Sequence, residues 1–207
     1  MKNPTWKIVH IGFLPKNRKP KGIPSWEDQA CTSTLIETET RRILVDPGLR
    51  STGEFHRFLY QQTGCEPEEI DTIFLTHFHR HHWQSLLLFR KSAWLMSRSE
   101  IRWWRKNASS EEEQDILARI VPVEDHPLPG IEILRTPGHV HGLTSLMFET
   151  REGIVVVAGD AILTFEHFDN REPSENAEDP REARRSIDRI AKMADIIVPG
   201  HDNYFVV

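Results

Sequence analysis

"THFHRHH", residues 76–82, sets His77, His79, His81 and His82 within six positions and contains no carboxylate. The cluster follows "DTIFL" (71–75), a short apolar run of strand composition. Imidazoles packed together without a cation repel one another when protonated and leave ring nitrogens unpaired when buried. A divalent cation removes both costs, and neutral imidazole is a common ligand for zinc and similar metals.

Three further apolar runs end in the same way. "IEILRTPGH" (131–139) delivers His139, "GIVVVAGD" (153–160) delivers Asp160, and "DIIVPGH" (195–201) delivers His201. A glycine stands beside each of these three, letting backbone approach closely. Four strand ends carrying potential ligands point to a metal site at the edge of a sheet. The expected metal is Zn2+, as one or two ions, with iron or manganese also suited to histidine-rich sites.

The rest of the chain alternates strand-like and helical stretches. Strand composition recurs at 6–13, 32–38, 42–46, 71–76, 92–96, 131–136, 143–150, 153–160 and 195–200, with turns at 39–41 and 151–153. A helix is expected over 53–63, with Phe55, Phe58 and Leu59 on one face and Gly64 as its stop. A second continues from the histidines over 82–90. Ser97 with Glu100, and Ser110 with Glu113, read as capping boxes opening two more. Asp179, Pro180 and Glu182 open another, and 166–179 reads as a surface loop. This mixture favours sheets covered by helices, in one domain spanning 1–207.

The ordered motifs resemble the metallo-β-lactamase superfamily: histidines at 77, 79 and 82, "PGH" at 137–139, "GD" at 159–160 and "PGH" at 199–201, with "TSTLIETETRRILVDPG" (32–48) matching its opening hairpin. The resemblance implies an α/β (α+β) fold, a four-layer αββα sandwich of two mixed sheets flanked by helices. It implies a first metal site of His77, His79 and His139, a second using His82 and His201, and Asp160 bridging the two. His81 stands where the family motif His-x-His-x-Asp-His has its aspartate. Three readings stay open: His81 replaces that ligand, it points away and leaves one working site, or the protein binds metal without efficient turnover.

As a member of that superfamily the chain is expected to be a metal-dependent hydrolase of a small ester- or lactone-type substrate, with Asp160 and His81 as candidate catalytic residues. Thr76, Ser145 and Asp46 are candidates to orient ligand imidazoles or nearby backbone. Lactonases of the superfamily carry a tyrosine three residues after the bridging aspartate, and here that position is Leu163. The alternatives are a mononuclear iron oxidoreductase on the same fold and a degenerate metal-binding module.

Composition bounds the remaining choices. The 207 residues are 38% hydrophobic and 28% charged with a formal net charge of −5, which lacks the basic balance of a nucleic-acid binder. No apolar run approaches the length of a membrane span, and the N-terminus lacks a signal-peptide pattern. Cys31 and Cys65 are expected as reduced thiols, consistent with a cytoplasmic protein. The expected partners are a small-molecule substrate and, from the Trp-rich surface, a possible second copy in a homodimer. Segments 14–29 with Trp26, 98–107 with Trp103 and Trp104, and 163–169 with Phe165, His167 and Phe168 are candidates to flank the site, and His141 to line its rim. "KNRKPK" (16–21) reads as a mobile loop, and His10, His56 and His126 as structural or exposed.

Overall fold

Alternation of side chains along the strands sorts the apolar residues into three layers. The structure, a computed structural model, describes residues 2–14 and 29–207. Expectations for the 16–21 loop and for Trp26 therefore lie outside the described residues. The first sheet runs β1 (Thr5–His10), β2 (Ser33–Glu37), β3 (Arg42–Val45), β4 (Thr72–Phe74), β5 (Ala93–Met96) and β6 (Val121–Pro122), in that spatial order. Its first three strands are antiparallel, and β3 through β6 are parallel. The second contains β7 (Glu132–Arg135), β8 (Thr144–Thr150), β9 (Gly153–Gly159), β10 (Ile196–Pro199) and β11 (Phe205–Val206), ordered β11-β10-β9-β8-β7. Here β9 and β10 are parallel and the other pairs antiparallel.

Odd and even positions of one strand face different layers. Ile43, Val45 and Phe74 pack against Leu146, Phe148, Val155, Val157 and Val198 between the sheets. Leu44 and Ile73 face outward, onto Phe55 and Leu59 of α1 (Thr52–Thr63), Ile101 of α2 (Arg98–Asn107) and Ile116 and Leu117 of α3 (Glu111–Arg119). Val156 and Ile197 face the opposite way, onto Phe168 of α4 (Phe165–Asp169) and Ile187 and Ile190 of α5 (Pro180–Ala191). The result is the expected αββα sandwich. Phe74, Leu44 and Ile197 are fully buried, and each such side chain contributes about 1.5–3 kcal/mol through removal from water.

Local signals explain the helix ends. Ser51 caps α1, and Gly64 closes it in the left-handed region at φ 76°. Ser110 and Glu113 form the expected reciprocal box on α3, and Asp179 accepts from Arg181 N and Glu182 N at the start of α5.

Three expectations need correction. Residues 82–90 form no α-helix. They make short 3-10 turns at Arg80–His82 and Leu86–Leu88, because neighbouring backbone engages the segment: Ser85 N donates to Pro47 O and Ser85 Oγ to Leu49 O. The stretch 166–179 is not all loop, since its first residues belong to α4, capped by Thr164, with Phe168 buried beneath it. The Ser97–Glu100 box is only half made. Ser97 Oγ accepts from Glu100 N, but the Glu100 carboxylate turns inward instead of back to the cap.

Parallel pairing of β3 with β4, and of β9 with β10, brings four carboxyl-terminal strand ends to one edge of the sandwich. Thr144 N donates to Thr76 O across the sheets, at 3.1 Å, and ties the edge together. No described helix is long and apolar enough to cross a membrane.

Candidate metal centre

The strand ends gather all seven candidate residues. His77, His79, His139 and Asp160 form one group of donor atoms, and His81, His82, His201 and Asp160 a second; within each, the atoms lie within 4.8 Å of one another. In the first, His79 Nδ1 lies 2.9 Å from His77 Nε2 and 3.1 Å from His139 Nε2, while His139 Nε2 lies 3.2 Å from Asp160 Oδ2. In the second, His82 Nε2 and His201 Nε2 each lie 3.3 Å from Asp160 Oδ1, and His81 Nε2 lies 3.9 Å from Oδ2. Asp160 thus stands between the groups, its Oδ1 toward His82 and His201 and its Oδ2 toward His139, His77 and His81.

Proton positions follow from the partners on the far side of the rings. His201 Nδ1 lies 2.9 Å from Ala30 O, which can only accept, so the ring proton is on Nδ1. His82 Nδ1 lies 2.9 Å from Asp46 Oδ2 and donates to that carboxylate. Thr76 donates its hydroxyl to Asp46 Oδ2 and its N–H to Oδ1, at 2.7 and 2.8 Å, leaving Thr76 Oγ1 to accept from His77 Nδ1 at 3.1 Å. Each outer bond leaves an Nε2 lone pair facing the Asp160 carboxylate. Thr76 and Asp46 therefore orient ligand-type imidazoles as expected. Ser145 instead bonds Thr136 Oγ1 and Ala158 O, supporting the backbone that leads to Asp160. Asp46 itself sits at φ 48°, a left-handed conformation that aspartate tolerates better than most residues.

Lone pairs aimed at a carboxylate are unfavourable without a cation. His81 Nε2, His82 Nε2, His201 Nε2 and Asp160 Oδ1 are buried without a hydrogen-bond partner. His79 Nδ1 has two ring nitrogens in reach, and its single site cannot satisfy both. Imidazole nitrogens about 2.0–2.1 Å from a tetrahedral zinc stand about 3.3 Å apart, close to the separations here. The donor set fits divalent cations.

Electrostatics agree with neutral ligand rings. Burial pushes His77 well below its ordinary value, reinforced by His82 and His79. Burial likewise takes His79 to about 3 and His81 to about 4, with His139 and His82 respectively adding to it, and burial lowers His139. For Asp160 burial opposes ionisation, but His201, His82 and His139 together hold the carboxyl well below its usual range. His82 is the exception. Burial lowers it, yet Asp160, Cys31 and Asp46 outweigh that and raise it well above its ordinary value. A proton on His82 neutralises part of the nest that a cation would otherwise neutralise.

The flanking residues divide by role. Arg80 pairs with Glu112 at 2.7 Å and lies over the Trp83 ring, facing away from the donors. His141, Trp103 and Trp104 line a cavity of about 130 Å³ beside His79, together with Glu100, Val140 and Glu178. Phe165 is exposed on α4, and His167 bonds its cap, Thr164. His10, His56 and His126 bond Cys31 O, Glu66 and Pro122 O, away from the donor groups. Cys31 and Cys65 are free buried thiols. Sequence reading missed Glu100 as an interior group. It is 2% exposed, and burial pushes its carboxyl up to about 7 against the donors Phe78 N–H and Trp104 N–H. The cap-like spacing Ser97-x-x-Glu100 concealed that role.

Comparison with known proteins agrees with this geometry. Residues 26–201 match the family model described as the metallo-beta-lactamase superfamily. An N-acyl homoserine lactonase of Bacillus sp. is 28% identical over 204 residues, covering 81% of this chain and 79% of that protein. Metallo-beta-lactamase domain-containing protein 1 of Mus musculus is 30% identical over 194 residues, covering 90% and 69%. A crystal structure of B. thuringiensis AiiA with N-decanoyl-L-homoserine at its active site superposes with a TM-score of 0.73 at 24% identity, covering 97% of this chain and 93% of that one. With the αββα sandwich and its histidine-lined edge, these matches show that the chain belongs to the metallo-beta-lactamase superfamily.

Proposed function

We propose that this metallo-beta-lactamase-fold hydrolase cleaves a small ester- or lactone-type bond at a dinuclear centre. His77, His79 and His139 would hold one ion, His81, His82 and His201 the other, and Asp160 both. The observation that carries the reading is the pair of donor groups sharing one buried carboxylate. Divalent cations, most readily Zn2+ for this donor set, supply Lewis acidity and a nucleophile from water at neutral pH.

The chain's own residues do the positioning. Asp46, Thr76 and Ala30 O accept from the Nδ1–H groups of His82, His77 and His201, so three Nε2 atoms stay available. Asp160, held ionised, keeps the two donor groups in register. His81 acts as the third imidazole of its group, since its Nε2 is buried and turned toward Asp160. The cavity beside His79 offers Trp103 and Trp104 as an apolar wall for a substrate's non-reacting part.

The lactonase relatives support a carbonyl ester as the bond class. Leu163, 8% exposed, lacks a hydroxyl, so assistance to a leaving alkoxide must come from elsewhere. The test is turnover of metal-replete protein on lactones, thioesters, β-lactams and phosphodiesters, with and without chelator. Chelator-sensitive turnover of lactones or simple esters is the expected result. Inactivity across the panel, or turnover indifferent to chelation, contradicts the proposal.

A further inference from the structure

Glu100 is not one of the metal donors, yet its carboxylate is enclosed beside them. Its Oε1 accepts from Phe78 N at 3.2 Å and from the Trp104 indole N–H at 2.9 Å. Phe78 stands between His77 and His79, so the first bond fixes the backbone that carries two donors of the first group. The other side of Glu100 packs against Gly142, three residues after His139. A Cβ at 142 would lie 2.4 Å from Glu100 Oε2 and 2.6 Å from its Cα and Cβ. Ser97 closes the arrangement, accepting from Glu100 N at 3.2 Å and donating its hydroxyl to Gly142 O at 2.6 Å.

We propose that Glu100 is a positioning residue that clamps the His77–His79 segment to the Gly142 end of the His139 loop, and so sets the spacing of the first donor group. This rests on the metal-centre reading above. An apolar side chain would fill the same space at lower desolvation cost, but would leave the Phe78 N–H and the Trp104 indole N–H without their acceptor. The clamp joins a segment from the first sheet to a loop from the second. It acts beside the Thr144 N to Thr76 O bond, which ties the two sheets one residue before His77, and it holds the His77–His79 backbone itself at Phe78.

The test is cobalt(II) titration of the metal-free full-length chain, read by the ligand-field absorption spectrum and by competition with a chelator. Glu100→Gln keeps an oxygen for Phe78 N–H and Trp104 N–H, and is expected to retain the wild-type spectrum and first-ion affinity. Glu100→Ala is expected to weaken the first ion by about 10–100-fold, the range for loss of groups that orient ligands, with an altered spectrum. Leu117→Ala, which destabilises α3 away from the loops, is expected to leave both unchanged. If Glu100→Ala does not fold, Glu100→Asp, too short to span the gap, takes its place. Wild-type affinity and spectrum in the Ala or Asp variant, or a loss in Gln as large as in Ala, overturns the clamp alone. A wild-type chain that takes up no cobalt overturns the metal reading, and the clamp with it.

Discussion

His82 Nδ1 lies 2.9 Å from Asp46 Oδ2, with both side chains buried. The contact fixes the ring proton on Nδ1 and aims Nε2 at Asp160, while the same carboxylate holds Thr76 at the start of the histidine segment. Asp46→Asn keeps the shape but weakens this acceptor. Affinity for the second ion is expected to fall about 10–100-fold, measured by chelator competition; unchanged affinity would detach Asp46 from the centre.

Position 81 decides what the second donor group prefers. Imidazole is neutral when it ligates, so the two groups together hold a single carboxylate, Asp160. His81→Asp adds a hard, charged oxygen donor and is expected to raise the affinity for Mn2+ relative to Zn2+. Competition between the two ions in wild type and variant measures it. An identical preference in both would mean that His81 does not ligate.

Gly200 lies against the shared carboxylate. A Cβ there would stand 2.1 Å from Asp160 Oδ1, too close for either to remain in place. Gly200→Ala is expected to reduce bound zinc per chain below the wild-type ratio, as measured by elemental mass spectrometry on folded protein. Full occupancy in the variant would show that Asp160 need not hold its observed position.

Glu100 couples stability to pH. Its folded carboxyl titrates near 7, against an ordinary value of 4.5. Between those values the folded chain keeps a proton that the unfolded chain has released. The stabilisation is therefore present below the ordinary value and is lost as pH rises to about 7, by on the order of 2–3 kcal/mol. Urea unfolding of the metal-free chain across this window should show wild type losing stability relative to Glu100→Gln. Parallel pH profiles for the two proteins would refute it.

The sequence made the site legible because strand ends are local features. "DTIFLTH", "GIVVVAGD" and "DIIVPGH" each pair an apolar run with its terminal ligand, and parallel pairing then brings distant ends together. What stayed hidden depended on tertiary contacts. Residues 82–90 have helical composition, but Pro47 O and Leu49 O engage Ser85 and break the ladder. Strands β6 and β11 are two residues each and carry too little pattern to be seen. Glu100 has the spacing of a cap, and it turns inward because Phe78, on the segment after β4, and the Trp104 indole offer their N–H groups there.

Anomalous diffraction at the zinc edge from crystals of zinc-loaded protein locates the ions. A dinuclear centre gives two strong peaks flanking Asp160, one among His77, His79 and His139, the other among His81, His82 and His201. The absence of a stoichiometric peak, or a lone peak remote from Asp160, would contradict it.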